Sequence, residues 1–285
     1  MNKIFFPAIL VLTCSIAFSQ KKLLKNALED ISKSNFTSAV QRINTYETKE
    51  GKNAETNFLR FLIMKSTVNN IEVADSAYEY FNNAYSILAT YSPKDKEDVC
   101  KTFQFCEQTK DSNFAVLEKL VYGEYAKTKN SSVIKSYQVK YPSGAYINES
   151  KNLSDSIDFS EVSVSNSIDK IKSFINTHPQ SNYNAAATAL IEDIAFQQTS
   201  KENTIRAYEK YLSEYPNSKQ EDKAKEYLEE AYWKSTIISA TKNAYDDFLN
   251  RYPDSKYKSI ALEKIEDIDW KLTDRKITRL NSSHT

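Results

Sequence analysis

The chain has 285 residues, with 38 Lys and Arg against 38 Asp and Glu, so it carries no formal net charge. Nothing in that balance draws nucleic acid or an anionic membrane. Only three glycines occur, Gly51, Gly123 and Gly144, and they do not cluster, which excludes the phosphate-cradling loops of Rossmann and P-loop folds. Low glycine beside abundant Ala, Leu, Lys and Glu suits an all-helical chain, of a length for one extended repeat array or two modest domains.

Lys3 precedes an apolar run over residues 4–18, and Ala17, Phe18 and Ser19 put small residues where signal peptidase cuts. Residues 1–19 therefore read as a signal peptide cleaved after Ser19, leaving Gln20 first on an exported, periplasmic or outer-membrane-associated protein. The run is short for a membrane span. Cys14 offers a lipoprotein alternative, although Val11, Leu12 and Thr13 place threonine where a lipobox has glycine or alanine. Membrane attachment is expected only if Cys14 is lipidated.

Residues 20–130 read as irregular helical repeats. Ser34, Asn35 and Phe36 ahead of Ala39 look like the turn between paired helices, and residues 58–64 form a dense apolar run suited to a buried helix. Ala74, Ala77, Tyr78, Phe81, Ala84, Tyr85 and Leu88 make one helical stripe. Residues 91–95 read as a loop around Pro93, and 113–126 as a further helix with Leu117, Leu120, Val121 and Tyr122. Cys100 and Cys106 on one helix would lie roughly 9 Å apart along its axis, beyond disulfide reach, so two half-buried thiols are expected unless a turn intervenes. No histidine accompanies them, and no metal site is expected.

From residue 131 a beat takes over. Pro142, Pro179, Pro216 and Pro253 are spaced 37 apart. Five positions before them stand Tyr137, Phe174, Tyr211 and Phe248; seventeen after them stand Phe159, Phe196, Trp233 and Trp270. Three columns in register over four copies predict stacked units that bury their apolar faces only against their neighbours. In the third copy Thr204 caps a helix bearing Ala207, Tyr208, Tyr211 and Leu212, which ends near Glu214 because Pro216 disfavours helix before it. Ser218 and Glu221 then read as a capping box for a second helix with Ala224, Leu228, Ala231 and Trp233. The first copy is degenerate: Ser150 and Ser154 replace its apolar residues, and its second helix is expected to be frayed or shifted.

The four loops read YPSG, HPQS, YPNS and YPDS. With the helix-pair columns, they resemble the tetratricopeptide repeat superfamily in its bacterial-envelope variety, whose loops read Y-P-x-S. Similar loops occur in the outer-membrane barrel-assembly lipoprotein and the periplasmic Tol–Pal coordinator. The likeness covers about 131–273; the unit of 37 is longer than the usual 34 and lacks the W-x2-L-G-x2-Y signature. It implies an α-solenoid of antiparallel helix pairs that acts in envelope assembly or maintenance by binding a protein or peptide.

The closing DRKITRLNSSHT resembles a translated sequencing adapter, so 274–285 is expected to be a non-native tail. Of the two histidines His284 falls in it; His178 occupies the loop column of Tyr141, Tyr215 and Tyr252 and reads as structural. Acidic pairs such as Glu192-Asp193, Glu229-Glu230 and Asp246-Asp247 suit exposed helix faces, and nothing selects one as a catalytic pair. Neither catalysis nor a cofactor is expected. Tyr141, Tyr215 and Tyr252, if exposed, would form a ladder for a peptide or glycan. The reading is an exported, non-catalytic scaffold. Its rivals are the repeat arm of a larger envelope protein whose activity lies C-terminal, and a glycan-binding repeat lipoprotein.

Overall fold

A computed structural model describes the backbone of residues 8–282 and the side chains of most of 20–279. The expected signal peptide, with Cys14 and the cut after Ser19, lies outside the described side chains, and 283–285 lie outside the described residues. The described residues are all-α. In chain order the helices are α1 (Ala8–Ser32), α2 (Phe36–Glu50), α3 (Ala54–Thr67), α4 (Ile71–Ala89), α5 (Pro93–Phe103), α6 (Lys110–Lys127) and α7 (Ser131–Lys140). They continue with α8 (Ile147–Ser163), α9 (Ile168–Thr177), α10 (Asn184–Glu202), α11 (Ile205–Glu214), α12 (Glu221–Ser239), α13 (Lys242–Arg251) and α14 (Lys258–Ser282). No helix among the described residues is long and apolar enough to cross a membrane. The chain divides into two compact units after Ile157, within α8.

In the first unit α1 packs on α2 and α3 on α4. The expected turn forms: Ser34 adopts φ 61° and Asn35 precedes α2. Phe58, Leu59, Phe61 and Ile63 of α3 are buried against Ala74, Ala77, Phe81, Ala84, Tyr85 and Leu88 of α4. The expected loop at 91–95 is shorter than the sequence suggests. Pro93 is the first residue of α5, where its missing N–H costs nothing, and the Ser92 hydroxyl caps the helix by accepting from Asp95 N–H.

The expectation of free thiols is wrong. Cys100 and Cys106 form a disulfide, their Cα atoms 4.6 Å apart. The turn that permits it is at Gln104, which ends α5 in the left-handed conformation at φ 53° while its N–H bonds the Cys100 carbonyl. The loop so closed drives Phe103 and Phe105 inward; Phe105 is fully buried and stacks on Phe58 at 4.1 Å. A disulfide of this kind fits an oxidising compartment.

The second unit repeats one construction. The first helix of each pair, α9, α11 or α13, has ten residues. Each starts at a hydroxyl cap: Ser167, Thr204 and Thr241 accept from the N–H of Lys170, Ala207 and Ala244. Each stops before its proline, where His178, Tyr215 and Tyr252 N–H bond the carbonyls of Phe174, Tyr211 and Phe248. The second helix does not open with the expected capping box. Glu221 begins α12, but the Ser218 hydroxyl is taken by Tyr211 Oη at 3.0 Å, and Glu221 Oε2 accepts from Asn217 N–H instead. Nor is the first copy frayed. α8 is regular over 17 residues, because buried Ser150 and Ser154 return their hydroxyls to the carbonyls of Ile147 and Lys151 and are small enough to replace alanine.

The aromatic columns meet each other. Phe159 lies 5.6 Å from Phe174, Phe196 5.5 Å from Tyr211 and Trp233 5.1 Å from Phe248, so each second helix is joined to the first helix of the next pair. The same contact occurs in the first unit between Tyr122 and Tyr137, at 5.6 Å, one period upstream of the columns read from sequence. A further ring stacks face-on in most seams: Tyr146 on Tyr122, Tyr183 on Phe159 and Tyr257 on Trp233. The expectation that Trp270 also fills a seam fails. Trp270 is 74% exposed against 8% for Trp233, because among the described residues no helix pair follows α14 to cover it. The tail residues 274–277 and Arg279 are likewise exposed, although α14 runs on through them.

Trp233→Ala is expected to cost about 3–5 kcal/mol and to loosen α11–α14 ahead of the first unit, read by hydrogen exchange and chemical denaturation. Trp270→Ala should stay within about 0.5 kcal/mol of the parent. Replacing both Cys100 and Cys106 by serine should remove about 2 kcal/mol, with exchange protection lost first around Phe105 and α3.

Candidate partner groove

Two clefts open on the second unit, with volumes of about 620 and 650 Å³. The first lies among α9, α10 and α11, the second among α11, α12 and α13. They are one cleft repeated: nine of the ten residues lining the second stand 37 positions after a residue lining the first. The caps and prolines that fix the first helices at ten residues hold this translation in register.

The floor keeps its chemistry from copy to copy. Ile168 and Ile205, Thr199 and Thr236, Ala207 and Ala244, and Tyr211 and Phe248 occupy matching places. The rim inverts its charge. Lys210 and Glu214 on α11 become Asp247 and Arg251 on α13. Lys210 Nζ sits 3.7 Å from Glu214, whereas Arg251 reaches Glu209 at 3.8 Å and lies 4.4 Å over the Tyr232 ring. Tyr232 Oη in turn donates to Glu209 at 2.6 Å. A segment crossing both clefts would meet a hydroxyl-bearing, partly apolar floor and rims of opposite order of charge.

The condition for a ladder, exposure of the tyrosines before the prolines, is not met. Each ring folds back on the aromatic four residues earlier on its own helix, the natural i, i+4 neighbour: Tyr141 on Tyr137, Tyr215 on Tyr211 and Tyr252 on Phe248, at 5.1–5.3 Å. Tyr215 and Tyr252 are half-buried, and only Tyr215 lines a cleft. His178 follows the same rule, stacked on Phe174 at 4.6 Å with Nε2 3.1 Å from Asp158 Oδ2.

Tyr141 is 5% exposed, in the first unit. Its hydroxyl donates to Asp75, which also accepts from Tyr125 Oη at 3.0 Å and Lys140 Nζ at 2.7 Å. Burial, then the bond to Asp75 and that carboxylate's charge, push the Tyr141 hydroxyl far above the usual tyrosine value of 10.0. Burial and Asp75 raise Tyr125 in the same direction. The neighbouring Tyr137 is pushed up to about 12, chiefly by burial.

Two of the three acidic pairs serve contacts between repeats, and Asp247 of the third lines the second cleft. Asp193 accepts from the Gln220 amide, Glu229 from the Ser255 hydroxyl and Glu230 from Lys256. The sequence reading missed the groove residues; their signal was present in the 37-residue offset of Thr199 to Thr236 and Ala207 to Ala244, which no single helix singles out. A comparison with protein families finds no match, and a comparison with curated proteins finds none either.

Tyr141→Phe removes a hydrogen bond to a charged group and is expected to cost about 1.5–3 kcal/mol. The pH dependence has a definite sign. Unfolded tyrosines lose their protons near pH 10.0 while Tyr141 and Tyr125 hold theirs higher, so stability is full below that pH and falls as pH rises above it. Denaturation between pH 9 and about 12 should show a shallower alkaline loss in Tyr141→Phe than in the parent.

Proposed function

We propose that the chain is an exported, non-catalytic helical-repeat scaffold of the bacterial cell envelope, which receives an extended protein segment along the paired clefts of α9–α13. The repeated cleft carries this reading. A surface that translates one lining by one repeat suits a ligand that is itself extended and polymeric, and a peptide backbone with alternating side chains is such a ligand. The matching floors supply shared apolar and hydroxyl contacts; the inverted rims would set direction, favouring an acid near Lys210 and a base near Asp247. The disulfide between Cys100 and Cys106 supports a place outside the reducing cytosol. The envelope assignment rests on the signal-like N-terminus and the Y-P-x-S loops.

The test is a photo-crosslinking side chain placed in turn at Thr199 and Thr236 in the full chain, expressed in its own envelope. Both positions are expected to trap the same protein. Reversing Lys210→Glu together with Arg251→Glu should weaken that capture about tenfold, or about 1.4 kcal/mol. Turnover of a wall or glycan substrate, lost on changing one carboxylate, would overturn the scaffold reading.

A further inference from the structure

A further cleft, of about 360 Å³, lies within the first unit. It runs along α4, where Ser76, Glu79, Tyr80, Asn83 and Ile87 follow one another at helical spacing on one side. Asn57 borders it from the start of α3, and Lys52 from the turn before that helix. The repeat does not ask for these side chains: 37 positions after Glu79, Tyr80 and Asn83 the chain has Val116, Leu117 and Leu120. Two of the lining residues are held from behind. Asn57 is 4% exposed, and its Nδ2 donates to the Asn53 carbonyl at 2.7 Å, which leaves Oδ1 as the atom it brings to the cleft. The Tyr80 ring lies 5.9 Å from the Arg60 guanidinium, itself fixed by Glu47 at 2.6 Å and Asn44 at 2.7 Å. Among the described residues Ser76, Glu79, Tyr80 and Asn83 spend no side-chain hydrogen bond on the protein.

We propose that this cleft binds a neutral saccharide. Lys52 and Glu79 balance each other, so the lining selects no charged ligand. Donors and acceptors are mixed along it: Lys52 donates, Asn57 Oδ1 and Glu79 accept, and Ser76, Tyr80 and Asn83 do both. Vicinal hydroxyls, each a donor and an acceptor at once, match that mixture. Tyr80 and Ile87 give the apolar surface that the C–H face of a sugar ring covers. A peptide segment fits less well. Ile87 is the single aliphatic residue of this lining, whereas the clefts of the second unit set Ile168 and Ala207, or Ile205 and Ala244, on their floors. The volume stands at the low end of the about 300–1,000 Å³ of small-molecule sites, a size for a short saccharide. The proposal is independent of the protein-binding groove, which lies among α9–α13.

The experiment is saturation-transfer difference NMR on the full chain, with cellobiose, maltose, lactose and N,N′-diacetylchitobiose as probes at millimolar concentration. At least one disaccharide is expected to receive saturation from the parent, and Glu79→Ala with Asn83→Ala should weaken its binding at least about tenfold in titration. Both residues are exposed, so the double variant is expected to keep the helical signal and melting temperature of the parent. Asn82→Ala, exposed on the same helix but outside the lining, should bind as the parent does. Binding of the corresponding polysaccharide as well would assign the site to units within a glycan chain, and binding of the disaccharide alone to free sugars; both support the proposal. Transfer to none of the disaccharides, or transfer that the double variant retains, would overturn it. So would transfer to the tetrapeptide Gly-Ser-Gly-Ser that the double variant loses, since the occupant would then be a peptide.

Discussion

The contact between two aromatic columns holds the repeats together. An isolated pair of ten- and nineteen-residue helices buries little, and helices this short are marginal in water. Ring-to-ring packing at 5.1–5.6 Å across each seam turns the exposed side of one pair into the core of the next. The spacing across each seam is constant: the second-helix aromatic precedes its partner by 15 residues from Phe159 to Phe174, from Phe196 to Tyr211 and from Trp233 to Phe248.

The same constraint shapes the groove. Hydroxyl caps start α9, α11 and α13, and prolines stop them, so each first helix has the same length and the clefts beside them repeat. The residues that face inward to the seam and those that face the cleft share helices but differ in freedom. Tyr211 and Phe248 must remain aromatic for packing. Lys210 and Asp247, one position away, differ in charge while the ring contact beside them is kept. Structural demand is therefore concentrated on one stripe, and the rim beside it is left to carry recognition.

The first unit is held differently. Apart from the Tyr122–Tyr137 seam, its aromatic rings crowd into one cluster, with Phe58, Phe61, Phe81, Tyr85 and Phe105 linked ring to ring. Two devices outside the helix-pair pattern fix it. The Cys100–Cys106 bridge closes a turn that inserts Phe105, and Asp75 gathers three donors from α6 and the end of α7. The bridge spans six residues and the Asp75 contacts 50 to 66, so neither recurs at the repeat spacing, in keeping with the weak beat of this part of the sequence.

The sequence by itself determined the all-α class, the helix pairs, the 37-residue unit and the cap at Thr204, because these are local or periodic properties written in spacing. Tertiary structure decided what spacing does not contain. The direction of the Tyr141, Tyr215 and Tyr252 rings followed from the i, i+4 neighbour each found on its own helix, and burial of Tyr141 from a carboxylate 66 residues away. The disulfide required a left-handed Gln104 that composition does not announce. Trp233 and Trp270 share a column, yet one is core and the other surface, because burial belongs to the neighbour that arrives and not to the residue that waits for it.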